Sequence, residues 1–86
     1  MAKFTVVWSD SAEAGLLEIW LETRNRKVQR AADTIDSALA IDPNTKGIRR
    51  STKHRILRAA PLEVLFSVSE PDRLVRVLGV RLFLPE

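Results

Sequence analysis

The stretch Lys53-His54-Arg55-Ile56-Leu57-Arg58-Ala59-Ala60-Pro61-Leu62-Glu63-Val64-Leu65-Phe66-Ser67-Val68-Ser69-Glu70-Pro71-Asp72-Arg73-Leu74-Val75-Arg76-Val77-Leu78-Gly79-Val80-Arg81-Leu82-Phe83 decides the fold. Its middle run, Leu62 to Val68, sets Leu62, Val64, Phe66 and Val68 on one face at a period of two, the pattern of a strand with one buried side. Lys53 to Ala59 and Leu74 to Phe83 read as strands on either side. Ala60-Pro61 separates the first pair, and Glu70-Pro71-Asp72-Arg73 reads as a turn with Pro at its second position. Connections this short leave only an antiparallel meander.

Upstream, Lys3 to Trp8 is β-branched and aromatic, with Phe4, Val6 and Trp8 alternating onto one face. Ser9 to Glu13 starts a helix, with Asp10 and Glu13 in capping-box spacing. Ala12, Leu16, Ile19, Trp20 and Thr23 form its stripe. Leu17 and Leu21 widen that stripe and predict cover on more than one side. From Asn25 a second helix runs to about Ile41, with Val28, Ala31, Ala32, Ile35, Ala38 and Leu39 at helical spacing. Asp42-Pro43 ends it, and Asn44 to Gly47 reads as loop.

The expected order is therefore β-α-α-β-β-β in one α+β domain spanning residues 1–86. A helical hairpin packs on one face of a mainly antiparallel four-stranded sheet. The opposite face is left to Arg and Lys side chains, and function is expected there.

Composition excludes several classes. There is no cysteine, hence no disulfide and no thiolate nucleophile or ligand. No apolar run approaches the roughly 20 residues of a membrane span, and Met1-Ala2-Lys3-Phe4 lacks the apolar core of a signal peptide. A cytoplasmic location is expected, with no membrane partner. The sequence contains no Gly-rich phosphate loop, no metal-ligand cluster and no nucleophile–His–acid set, so neither a metal nor a cofactor is implied. With no Tyr, and with both Trp on expected core faces, base-stacking platforms are scarce.

The net charge is +3, but it is unevenly placed. Residues 46–58 hold six basic groups (Lys46, Arg49, Arg50, Lys53, Arg55 and Arg58), the only histidine, His54, and no acid. Such a cluster attracts phosphates and releases their counterions, and arginine adds bidentate hydrogen bonding. An edge strand guarded by charge, or a surface for an acidic protein, accounts for the same residues. Histidine titrates near neutrality, which makes His54 the candidate base. Arg76 and Arg81 lie five residues apart, so plain alternation sends them to opposite faces. A bulge near Gly79 would bring them together.

The element order and local sequence resemble the RelE/ParE superfamily of bacterial toxin–antitoxin toxins. The resemblance is carried by Phe4-Thr5-Val6-Val7-Trp8-Ser9, Ala12, Leu16, Ile19, Trp20, Ala31, Ala32, Ile35, Leu39, Asp42-Pro43 and Gly47. It continues through Arg55-Ile56-Leu57, Pro61 to Val68 and Val75 to Val80. It implies the toxin of a type II toxin–antitoxin (plasmid stabilization) system, bound by a cognate antitoxin as a hetero-oligomer, or forming a homodimer. For RelE-like members it implies metal-independent endoribonuclease action on ribosome-bound mRNA; for ParE-like members, inhibition of DNA gyrase. A non-toxic antitoxin-binding homologue is the third form. Carried over residue by residue, Lys53, His54, Arg55, Arg58 and Arg81 are the catalytic candidates, with His54 or Lys53 as base and the arginines stabilising phosphorane charge. Lys46, Arg49, Arg50 and Arg76 are candidates for nucleic-acid or partner binding. No Tyr or His follows Arg81, where RelE-like toxins often carry a C-terminal aromatic, and no residue takes the role of general acid.

Overall fold

Alternation in the C-terminal half and helical periodicity in the N-terminal half produce the expected layers. The computed structural model describes residues 3–83; Met1, Ala2, Leu84, Pro85 and Glu86 lie outside the described residues. Strand β1 (Thr5–Trp8) leads into helices α1 (Asp10–Thr23) and α2 (Arg26–Leu39). A 3-10 turn at Pro43–Thr45 precedes strands β2 (Ile48–Arg49), β3 (Arg55–Ala59), β4 (Leu62–Ser69) and β5 (Leu74–Leu82). The sheet has five strands in the order β1-β5-β4-β3-β2. β1 runs parallel to β5, and the remaining pairs are antiparallel. The meander and the helical hairpin are as expected.

The extra strand corrects the expected count of four. Ile48 pairs with Ile56 and Arg49 with Arg55, so part of the basic stretch is an edge strand rather than loop. The turn after it ties Arg50 N–H and Ser51 N–H to the His54 carbonyl, and β3 accordingly begins at Arg55 rather than Lys53. Capping also differs from the sequence expectation. Ser9, not Asp10, is the N-cap of α1, its hydroxyl accepting from Ala12 N–H at 3.1 Å. Asn25 caps α2, accepting from Lys27 N–H, and that helix ends at Leu39, two residues before Ile41.

The core is one layer between the helices and the sheet. Leu62, Val64, Phe66, Val75 and Val77 are fully buried against Ala12, Ile19, Val28, Ala31, Ala32, Ile35 and Leu39. Trp8 lies at its margin and donates from Nε1 to Asp36 Oδ1 at 2.6 Å, locking β1 to α2. Trp8→Phe keeps the ring and removes that donor. It is expected to cost about 1 kcal/mol in urea unfolding, because the bond is exposed and its acceptor charged. α1 departs from expectation: Trp20 is 36% exposed, and Leu17 and Leu21 are 57% and 52% exposed. The outer side of α1 is thus uncovered rather than buried.

Candidate anion-binding face

One residue of β5 decides which side chains share the open face of the sheet. Leu65 pairs with Gly79 and Phe66 with Val77, so Leu78 is an extra residue, a bulge. Its carbonyl accepts from the Ser9 hydroxyl, and Val77 accepts from Ser9 N–H, so the start of α1 is fastened at the bulge. The added residue shifts the alternation by one, and Arg76, paired with Ser67, and Arg81, paired with Glu63, come to the same face. The bulge that would unite them is present, one residue before Gly79.

Arg58, Glu63 and Arg81 form a row across β3, β4 and β5 on that face. Arg58 Nε donates to Glu63 Oε2 at 2.7 Å, and Arg81 Nε donates to Oε1 at 2.5 Å. Each oxygen of one carboxylate therefore holds one guanidinium. Glu63 is 4% exposed, whereas the Arg58 and Arg81 side chains are 47% and 72% exposed. The carboxylate is hidden beneath its two partners rather than in the apolar core. Beyond Glu63, neither guanidinium has a hydrogen-bond partner among the described residues. Their remaining donors are open to a ligand. The hydrogen bond from Arg58, then that from Arg81, holds the Glu63 carboxyl below its ordinary range, outweighing the opposing effect of burial. The guanidinium carbon of Arg58 also lies 4.8 Å from the centroid of the Phe83 ring, and Phe83 N–H is anchored to the Pro61 carbonyl at 2.7 Å.

Sequence reasoning singled out Arg58 and Arg81 but missed Glu63 and Phe83. Glu63 did leave a signal, as the one acid on the polar side of the central meander strand, where its only neighbours across the strands are basic. Phe83 is an aromatic after Arg81, although neither Tyr nor His.

The other candidates do not join this row. Arg55 points to the helix side of the sheet, in register with Phe66, and donates to the carbonyls of Lys46 at 2.9 Å and Gly47 at 3.4 Å. It staples the loop before β2. His54 shares a hydrogen bond with the Ser51 hydroxyl at 3.1 Å and stands four residues before Arg58. That is about 13 Å of extended chain. Lys53, Arg49 and Arg55, with Asn44, Ser51, Thr52, Ser67 and Val68, line a separate open cleft of about 450 Å³. Arg50 instead reaches the cleft beside the arginine row, and Lys46 contributes its carbonyl to Arg55. The basic stretch thus divides between two places. The proposed catalytic set is not assembled at one point. Among the described residues no helix is long and apolar enough to cross a membrane.

No family model matches the chain, and no curated protein matches it. Solved structures do. A toxin–antitoxin complex, RelBE2 of Mycobacterium tuberculosis, matches with a TM-score of 0.77 at 19% identity, over 95% of this chain and 93% of that one. The chromosomal ParDE toxin–antitoxin system of Pseudomonas aeruginosa matches with a TM-score of 0.65 at 16% identity, over 95% of this chain and 98% of that one. TrmO from Pseudomonas aeruginosa matches with a TM-score of 0.65 at 28% identity, over 94% of this chain but 36% of that longer one. The chain has the fold of the RelE/ParE superfamily of toxins. RelBE-type and ParDE-type structures are both among its neighbours.

Proposed function

We propose that this chain is the toxin of a type II toxin–antitoxin system and that its open sheet face grips the phosphate backbone of ribosome-bound mRNA. The observation that carries the reading is the Arg58–Glu63–Arg81 row, two guanidiniums held by one carboxylate with their other donors outward. Such an arrangement binds a phosphodiester bidentately and stabilises the added negative charge of a phosphorane when the neighbouring 2′-hydroxyl attacks. The cognate antitoxin covers the apolar outer side of α1, where Leu16, Leu17 and Trp20 line a shallow cleft of about 270 Å³ with Glu13 and Gln29.

A second reading has its own observation. Glu63 cancels one of the two positive charges and is held ionised by both partners, and His54 is distant. Apart from that paired carboxylate, no proton-transfer side chain is hydrogen-bonded to the arginines among the described residues. That favours a binding inhibitor, a ParE-like poison of DNA gyrase.

The test is induction in a bacterial host together with purified translation and gyrase assays. The expected result is growth arrest, blocked translation and new mRNA ends, all relieved by Arg58→Ala with Arg81→Ala. Intact translation with gyrase-linked DNA breaks would select the second reading. Growth that continues unchecked would reject toxicity and leave an antitoxin-binding homologue.

A further inference from the structure

Beside the arginine row the open face is hollow. Ile56 of β3, Leu65 of β4 and Gly79 of β5 lie in register as the next row of that face. They floor a cleft of about 250 Å³, with Arg50, Glu63 and Arg81 at its rim. Gly79 is the unexpected member. Among the described glycines only Gly47 has a positive φ, so the backbone does not require glycine here. A Cβ added at Gly79 would meet nothing within 4 Å, so packing does not require it either. Glycine inside a strand costs stability and often marks close approach by a ligand. What the missing side chain provides is the depth of the cleft.

The two rows are adjacent on the pleat, two residues apart along each strand, or about 6.6 Å. That step separates a charged row suited to a phosphate from an apolar floor suited to a flat ring. Arg50 adds, at the rim, a side-chain type that stacks on planar groups. We propose that the cleft over Gly79 is a base seat, taking the ring of the nucleotide whose phosphate lies on Arg58 and Arg81. This rests on the reading of the face as a nucleic-acid surface and names the part of the ligand that reading left open. A nucleotide is favoured over an apolar peptide side chain because the neighbouring row supplies free cationic donors one phosphate-to-base step away.

The test is fluorescence anisotropy at low salt with two labelled single-stranded probes of equal length, one a 2′-O-methyl RNA and one wholly abasic. The native protein is expected to bind the base-bearing probe about tenfold more tightly, as one stacked base contributes. Gly79→Leu should abolish that preference while leaving affinity for the abasic probe unchanged, with Gly79→Ala intermediate and serving as the less intrusive variant. Thermal melts of both variants report that the sheet is intact. Equal affinity of the native protein for the two probes, or a preference that survives Gly79→Leu, would overturn the base seat while the phosphate surface stands. Binding of neither probe would overturn the nucleic-acid reading and the seat with it. Loss of antitoxin affinity alone in Gly79→Leu would assign the cleft to a peptide and overturn the proposal.

Discussion

Glu63→Gln is expected to destabilise the protein at neutral pH by about 1–2 kcal/mol, and the difference should shrink as the pH falls. The amide keeps one acceptor, but its NH2 now faces a guanidinium, donor against donor, so one charge-assisted hydrogen bond is lost and the other is weakened. Such bonds contribute about 1.5–3 kcal/mol each, reduced here because the Arg58 and Arg81 side chains are 47% and 72% exposed. The pH dependence follows from the sign of the shift. The folded state holds the Glu63 carboxyl below its ordinary value of 4.5, so its contribution is full above that value. It is lost as pH falls from there through the lowered folded value. Urea unfolding of both proteins at neutral pH and in acid measures the effect. A difference that stayed constant across that window would show that the ionised carboxylate is not what holds the row.

Gly47→Ala should be more damaging, at about 2–4 kcal/mol, and its effect should centre on β2. Gly47 has a φ of 68°, in the left-handed region, where any residue with a Cβ is strained. More severely, a Cβ there would overlap the backbone carbonyl of Ile56, and backbone cannot swing aside as a flexible side chain can. The loop would have to lift from β3, breaking the Ile48–Ile56 pairing and the Arg55 hydrogen bonds to Lys46 and Gly47. Amide exchange at Ile48 and Ile56 should accelerate well beyond that of Val64 and Phe66. Protection of β2 equal to the native protein would refute the assignment of Gly47 as the residue that lets this edge strand close.

The layers were legible because each rests on short-range patterning. Alternation from Leu62 to Val68 marks the buried side of β4, and the spacing of Val28, Ala31, Ala32, Ile35 and Leu39 marks that of α2. The edge strand was missed because two residues carry no detectable period, and Ile48–Arg49 becomes a strand only through pairing with β3. The outer side of α1 was misjudged for a related reason. Leucines at 17 and 21 widen an apolar stripe in the sequence, yet whether another layer covers them is not a local property.

The candidate site was half legible. Arg58 and Arg81 stand out as basic residues on strands, and Arg55 has the same local signature. Alternation along β3 puts Arg55 and Arg58, three residues apart, on opposite faces. The register with β4 decides which is which, sending Arg55 to the helix side to hold a loop and Arg58 to the open face. Glu63 was passed over because an isolated acid in a strand acquires meaning from what lies opposite it. Arg58 is five residues from Glu63 and Arg81 eighteen, and all three meet only when β4 pairs with both of its neighbours.

The amino-acid order by itself determined the α+β class, the helical hairpin, the meander and the existence of a basic surface, since all of these follow from nearest-neighbour periodicity and charge counting. Tertiary structure decided which basic residues act together. The inserted Leu78 turns Arg76 and Arg81 to one face, and the pairing of β4 with both neighbours places Glu63 between Arg58 and Arg81. The physical reason is parity. A strand assigns its side chains to faces in steps of one residue, so a single bulge or register choice reassigns every residue beyond it.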